Sequence, residues 1–397
     1  MRILHLSTRL IVGGSQENTL LSCVGSANEG HLVALAYGPI YGPEGSLLPR
    51  AQADDRLACF EVPDLVRQVA PLRDLRCFRQ LTQLIRDWKP DVVHTHSSKA
   101  GILGRAAAWR LRVPAVVHTV HGLPFHRFQS RVIYRAYVLA ERFAARRCHA
   151  IVSVADSMTR QALAEGIGTL AQYSTIRSGL DTAPFLGAHL LRAAARDRLG
   201  VGANTTVLAT LGRLAELKGH DDLITAVLPL LRASTRDKLM LLWIGDGWWR
   251  TRLEQRLVRE GIRDRVILSG LVPPDQVPAL LAASDVVVHP SWREGLPRAV
   301  VQALLCARPV IAADIDGASE VCKAGETGWL VPVGDPLRLR AAIEQVLSDP
   351  SHAARLAARG QAEVRSAFDG DAMVKRLLAL YRHLLERPST PRAHLPR

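Results

Sequence analysis

The chain has 397 residues, 48% hydrophobic and 22% charged, which is ample material for two or three folded domains and far from the composition of disordered chains. Its formal net charge is +14, and between Lys99 and Arg147 ten cationic side chains stand against a single acid, Glu141. Such a concentration attracts something anionic: a lipid leaflet, a phosphorylated substrate or nucleic acid.

Six scattered cysteines without a CxxC pair argue against a zinc ribbon or a disulfide framework and suit a reducing compartment. No stretch approaches the ~20 apolar residues that a membrane helix needs. Met1-Arg2-Ile3-Leu4-His5-Leu6 enters a strand directly, without the apolar core and cleavage site of a signal peptide. The expected location is cytoplasmic, soluble or peripheral at the inner face of the cell membrane.

In chain order, Ile3–Ser7 reads as a short apolar strand that ends in the turn Gly13-Gly14, with a helical run from Gln16 and a second strand at His31–Tyr37. Leu75, Phe78, Leu81, Leu84 and Ile85 recur at spacings of three and four and predict a helix over Leu75–Asp87, which Pro90 closes. The next strand begins at Asp91–His94. Ser97 or Ser98 is placed to cap a helix over Lys99–Leu111, followed by strand Ala115–Val120, a long helix near Arg131–Arg147 and strand Ala150–Val154.

The second half repeats the alternation, with strands at Val207–Leu211, Leu239–Ile244, Val266–Leu268, Val286–His289 and Pro309–Ala312. Helices are expected at His220–Leu231, Trp249–Glu260, Val277–Ala283 and Pro297–Cys306. Strands alternating with helices mean parallel sheets covered on both faces. Two such series predict two doubly wound α/β domains, 1–187 and 188–370, then a C-terminal helix over 371–386 that packs back on the first domain, and a disordered tail over 387–397. Ligands in such folds sit beyond the carboxyl ends of the strands. Gly13-Gly14 is not a GxGxxG and there is no Walker A lysine, so periodicity alone names no reaction.

The stretch Trp292-Arg293-Glu294-Gly295-Leu296-Pro297-Arg298-Ala299-Val300-Val301-Gln302-Ala303-Leu304 follows a strand and opens a predicted helix. It resembles the E-x7-E signature of retaining glycosyltransferase family 4, the group 1 glycosyl transferases. Gly212-Arg213-Leu214-Ala215-Glu216-Leu217-Lys218-Gly219 is similar to the family's G-R-x-x-x-x-K-G element. Ile244-Gly245-Asp246-Gly247 and Leu268-Ser269-Gly270-Leu271-Val272 resemble its nucleotide-walling loops. Asp314-Ile315-Asp316-Gly317 and Glu326-Thr327-Gly328-Trp329-Leu330-Val331-Pro332 fit the segments that follow. Val12-Gly13-Gly14-Ser15-Gln16 and His118-Thr119-Val120-His121-Gly122 match the family in the first half.

The resemblance implies the GT-B fold: two Rossmann-like domains with parallel sheets facing each other across a cleft that holds the active site. It implies roles for individual residues too. Glu294 and His121 would contact the donor sugar, Arg213 and Lys218 the diphosphate, and the amides of Gly295 and Leu296 the phosphates. Gln302 would meet the ribose, and Gly14, Gly245, Asp246 and Val272 would complete the donor site. Gln302 stands where the pattern usually has Glu, which exchanges a charge-assisted bond for one roughly half as strong. Gly13, Gly14, His96 and Lys99 are the acceptor-side candidates.

His94 and His96 share a strand face, which invites a metal reading, but no third ligand lies nearby in sequence and the family generally needs no metal. The expectation is no metal and no cofactor, the nucleotide-diphosphate sugar being a substrate. Arg131, Arg135, Arg142 and Arg146 form one helical stripe beside Val132, Ala136, Leu139 and Phe143. That pattern fits either a solvated amphipathic helix or a docking face for an anionic membrane. No nucleic-acid recognition motif is present.

The resemblance implies a retaining glycosyltransferase that moves a sugar from a UDP- or GDP-linked donor to a glycan or lipid-linked acceptor, with bacterial cell-surface polysaccharide or glycolipid assembly as the expected pathway. The alternatives are a sugar-nucleotide 2-epimerase and a non-catalytic carbohydrate-binding or regulatory relative.

Overall fold

The computed structural model describes residues 1–41, 45–235 and 238–386; the expected disordered tail, 387–397, lies outside the described residues. The chain divides into two compact units. The first comprises Met1–Val154, Met158–Gly179 and the described residues from Gly370 on; the second comprises Ala155–Ser157 and Leu180–Asp369. The second unit therefore opens upstream of the boundary expected from the sequence.

The first unit is built on one parallel sheet of seven strands: β1 (Arg2–Ser7), β2 (Leu32–Tyr37), β3 (Leu57–Glu61), β4 (Val92–His96), β5 (Ala115–Val120), β6 (Ala150–Ser153) and β7 (Tyr173–Thr175). Their order is β3-β2-β1-β4-β5-β6-β7. The second unit has six parallel strands: β8 (Thr206–Leu211), β9 (Leu239–Ile244), β10 (Val266–Leu268), β11 (Val286–His289), β12 (Val310–Ala313) and β13 (Trp329–Val331), ordered β10-β9-β8-β11-β12-β13. In each sheet the strand order reverses once, between β1 and β4 and between β8 and β11. A crevice opens at such a point because the flanking connections leave in opposite directions.

Strands covered on both faces read as unbroken apolar runs. Leu-Met-Leu-Leu-Trp-Ile of β9 and Val-Ile-Ala-Ala of β12 are buried throughout. The short edge strands β3, β7 and β13 are only partly buried and are not anticipated by the sequence reading.

Helix starts follow local chemistry where a cap exists. Asp335 accepts the amide of Arg338 and Asp349 that of His352, each with proline in the first helical position. Ser97 does precede the helix Ser98–Arg110, but it makes no side-chain cap bond. Its hydroxyl is 2.7 Å from that of Thr8, so it ties the end of β4 to the segment after β1 instead.

The helix Gly370–Glu386 belongs to the first unit's core, where Met373, Val374, Leu377, Leu378 and Tyr381 pack with Ile3, Val92, Val117 and Val152. A Cβ on Gly25 would fall 2.4 Å from Cγ2 of Val374. A side chain there would force the helix Gly14–Asn28 away from its neighbour.

Part of the positive charge lies inside the protein. Arg105 is fully buried, donating to the carbonyl of Gly101 at 2.8 Å and to Glu141 at 2.7 Å. Arg265 is buried as well, and its guanidinium donates to the carbonyls of Leu231, Ser234 and Leu239 at 2.8–3.0 Å. Within the dense basic segment, Arg105 is thus an internal staple rather than surface charge. Arg105 and Glu141 join the helix Ser98–Arg110 to the helix Arg131–Ala145.

Candidate active site

In the second unit the two segments that flank the reversal of strand order carry Lys218 and Glu294. Lys218 lies in the loop after β8, and its ammonium is 2.5 Å from Oε1 of Glu294, in the loop after β11. Nε2 of His289, the last residue of β11, approaches the same oxygen at 3.2 Å. Burial alone would raise the pKa of Glu294, but the positive charge of Lys218 and the His289 ring more than offset it and hold the carboxyl well below the usual range. Glu294 is therefore a fixed anion, able to accept hydrogen bonds through its remaining lone pairs.

The loop Gly212–Gly219 is stitched to both neighbours. The carbonyl of Leu217 accepts from the amide of Trp292 at 2.8 Å and from Ser291 Oγ at 3.1 Å, while the amide of Leu214 donates to Asp246 O at 3.1 Å. Leu217 sits at φ 60° and Gly219 at φ 71°. The first is a conformation that costs a side-chain-bearing residue about 1–3 kcal/mol and is retained where surroundings enforce it. A Cβ on Gly219 would lie 1.9 Å from the carbonyl oxygen of Pro290, so only glycine brings this loop against the other.

Glu294 itself stands before the helix that its segment leads into. The helix runs Arg298–Leu305 with Pro297 at its N-cap, so Glu294, Gly295 and Leu296 precede it. Of the residues Glu294 and Gln302, only Gln302 is therefore on the helix. The physical reason is that the segment is held from another loop: the amide of Glu294 donates to Asp316 Oδ2 at 2.8 Å, and Gly317 N donates to Gly295 O at 3.2 Å. Gln302 itself lies on the helix and is partly exposed.

Arg213 is exposed, its guanidinium carbon 5.9 Å from the ring centre of Trp248. The indoles of Trp248 and Trp249 both donate to Glu216, at 2.7 and 3.0 Å. Gly245 and Gly270 form a β-bridge that joins the loops after β9 and β10. Asp246 accepts from Gly247 N at 2.8 Å and from Arg250 at 2.7 Å, so its carboxylate braces the turn. Val272 is partly exposed in the loop after β10.

In the first unit, Gly13 is extended at φ 171°, so its backbone does not require glycine; a Cβ there would meet only Oε1 of Gln16, at 2.9 Å. Gly14 begins the helix that follows. Lys99 is bound to Asp74 at 2.5 Å and to the carbonyl of Gln68, which fixes its ammonium against the helix Pro71–Trp88. His96, expected to line an acceptor cleft, is instead buried, because strand alternation points it into the covered face of the sheet.

That face carries a cluster the sequence shows only in part. β1 and β4 are in register with His5 opposite His94, and His5, His94 and His96 bring ligand-capable nitrogens within 4.8 Å of one another. Five of the six ring nitrogens already have hydrogen-bond partners. His94 bonds Tyr381 OH at 2.5 Å and Thr119 Oγ1 at 2.7 Å; His5 Nδ1 meets His96 Nε2 at 3.0 Å; His96 Nδ1 meets His121 Nε2 at 3.1 Å. A metal would have to displace these bonds, so the donor set fits a hydrogen-bonded chain better than an ion. Burial lowers the pKa of His5 to about 3 and that of His94 and His96 well below the ordinary value, which keeps the rings neutral.

The sequence reading missed His5, His289 and the anchoring role of Asp316. A polar residue ending an apolar strand run marks His289, whereas pairing His5 with His94 needs the strand register.

Residues 192–363 match the family described as glycosyl transferases group 1, and residues 13–171 match a glycosyl transferase 4-like domain. A UDP-Gal:alpha-D-GlcNAc-diphosphoundecaprenol alpha-1,3-galactosyltransferase of Escherichia coli is 30% identical over 297 residues, 75% of this chain and 76% of that protein. The chain belongs to the group 1 glycosyltransferases. A D-inositol 3-phosphate glycosyltransferase of Acidothermus cellulolyticus is 29% identical over 309 residues, 74% of this chain and 67% of that protein. HepE of Anabaena, solved with UDP and glucose, superposes with a TM-score of 0.82 at 23% identity, covering 96% of this chain and 100% of that one. The resemblance carried by the Glu294 segment is thus borne out, and the two Rossmann-like units are those of a GT-B glycosyltransferase.

Proposed function

We propose that this glycosyltransferase takes a UDP- or GDP-linked sugar and transfers it, with retention of anomeric configuration, to a glycan or lipid-linked acceptor in cell-surface polysaccharide or glycolipid assembly. The observation that carries the reading is the Lys218–Glu294 pair at the strand-order reversal of the second unit. A fixed anion suits the hydroxyls of a sugar, and a cation beside it suits the diphosphate. The ammonium has three donors, so it can serve Glu294 and a phosphate oxygen together. The E. coli relative acts, by its name, on a UDP sugar and a lipid diphosphate.

On this reading Arg213 and Lys218 stabilise the charge that builds on the departing diphosphate, which is where fixed cations lower a barrier most. Glu294 and His121 orient the sugar, Gln302 holds the ribose, and the amides of Gly295 and Leu296, with Gly14, Gly245, Asp246 and Val272, complete the donor site. The leaving phosphate assists removal of the acceptor proton. No protein nucleophile and no metal take part. Proton NMR of the product tests the stereochemistry: the transferred sugar is expected to keep the donor's anomeric configuration, and an inverted product would remove this mechanism.

The helix Arg131–Ala145 supports a membrane-bound acceptor. Its buried face is Val138, Glu141, Ala144 and Ala145, while Val132, Ile133, Leu139 and Phe143 are exposed at 78%, 50%, 62% and 46%. The apolar stripe beside Arg131, Arg135, Arg142 and Arg146 thus faces outward, unlike the buried stripe of an ordinary amphipathic helix. An apolar stripe flanked by arginines matches an anionic bilayer surface. Co-sedimentation with phosphatidylglycerol vesicles is expected and should fall with added salt. The double variant Leu139→Glu/Phe143→Glu should abolish it, and equal binding by this variant would dismiss the helix as the docking face.

A further inference from the structure

The three imidazoles of His5, His96 and His121 form an unbranched chain, Nδ1 to Nε2 at 3.0 Å and Nδ1 to Nε2 at 3.1 Å. Parallel register and strand alternation place them in line. His5 is opposite His94 on β4, His96 lies two residues further along the same face, and Thr119 opposite His96 puts His121 next on that face, just past β5. His94 stands beside this chain without joining it, since its two nitrogens are taken by Thr119 and Tyr381.

A neutral imidazole has one N–H and one bare nitrogen. Neutrality of the middle ring follows from its surroundings: His96 is buried, and the other groups acting on it are four imidazoles, each of which disfavours a second proton. Only two proton orders then satisfy both contacts. Either every N–H points from His5 toward His121, or every N–H points back toward His5. The second order puts a proton on Nε2 of His5, which is fully buried and has no hydrogen-bond partner among the described residues. A buried N–H left without a partner costs its full desolvation, and most buried polar groups are paired. The first order leaves only a bare lone pair at that position.

We infer that His5 and His96 are positioning residues that fix His121 in the tautomer with a bare Nε2 and its proton on Nδ1, so that this ring serves as an N–H donor rather than an acceptor. An isolated histidine prefers its proton on Nε2, so the chain opposes the intrinsic preference in all three rings. The use of that donor rests on the proposed contact between His121 and the donor sugar. The tautomer itself does not.

Long-range proton–nitrogen NMR of ¹⁵N-histidine-labelled protein reads each ring directly. Wild-type protein is expected to show His5, His96 and His121 all protonated on Nδ1. In His96→Leu the His121 signal should move to the Nε2-protonated form. In His96→Asn, whose amide can donate from near the former Nδ1, it should stay as in the wild type. A role in packing alone would leave His121 the same in both variants. Protonation of His121 on Nε2 in the wild type, or an unchanged His121 in a folded His96→Leu, overturns the inference. The wild-type spectrum decides the point even if a variant does not fold. Unaltered donor binding in His121→Ala would remove the sugar contact and leave the chain standing.

Discussion

Lys218→Ala is expected to lower turnover about 10²-fold or more, the loss typical of removing one fixed transition-state donor. Arg213→Ala should fall in the same range. Lys218 carries a second consequence, because its ammonium lies 2.5 Å from Glu294. Without it the partly buried carboxylate keeps His289 and loses its strongest counter-charge, so the anion is both less stable and less well placed. The two residues should therefore act as a unit. Lys218→Ala/Glu294→Gln is expected to lose little more than the worse single variant, the non-additivity seen when groups share one task. Steady-state kinetics at saturating donor checks this. Near-normal turnover in both Arg213→Ala and Lys218→Ala would sink the assignment of the diphosphate site.

The second large effect concerns stability. Arg105→Ala removes the partner of Glu141, which is itself buried, and leaves a carboxylate without its counter-charge between two helices. Breaking a buried ion pair in this way costs about 3–5 kcal/mol, much of it for the charge left behind. Denaturant unfolding of Arg105→Ala should show that loss. Arg105→Met/Glu141→Leu should recover most of it, because replacing both partners by apolar groups of similar volume leaves no charge stranded. A double variant as unstable as the single one would mean the loss comes from packing around Gly101 and the helix contact, not from the stranded acid.

How much of this was legible beforehand differs from residue to residue. The alternation of strands and helices was plain, because strands covered on both faces carry apolar runs, as in Leu-Met-Leu-Leu-Trp-Ile of β9, Val-Val-Val of β11 and Val-Ile-Ala-Ala of β12. The edge strands β3, β7 and β13 are short and only partly covered, and β7, Tyr-Ser-Thr, carries no apolar run at all. Glu294, Arg213 and Lys218 stood out through the spacing of their motifs, but the spacing did not show that Lys218 and Glu294 touch, nor that Asp316 holds the segment short of the helix. These are contacts between loops far apart in sequence, set by which strands become neighbours. His5 was hidden for the same reason. Alternation showed that His94 and His96 share a face; only the register of β1 against β4 adds the third ring. The stripe Val132, Ala136, Leu139 and Phe143 was visible as periodicity, yet periodicity cannot say whether an apolar stripe faces inward. Here Glu141, a charged residue, occupies the buried face because Arg105 meets it there.

The central claim is that the loops after β8 and β11 hold a nucleoside diphosphate. Calorimetric titration of the protein with UDP, GDP, ADP and TDP, with and without EDTA, tests it most directly. One nucleotide is expected to bind selectively whether or not EDTA is present, and Arg213→Ala and Lys218→Ala should each weaken that binding about tenfold, near 1.4 kcal/mol. Absence of binding by all four, or affinity unchanged in both variants, would contradict the claim and favour a non-catalytic carbohydrate-binding protein in which Gln302 marks a disabled donor site.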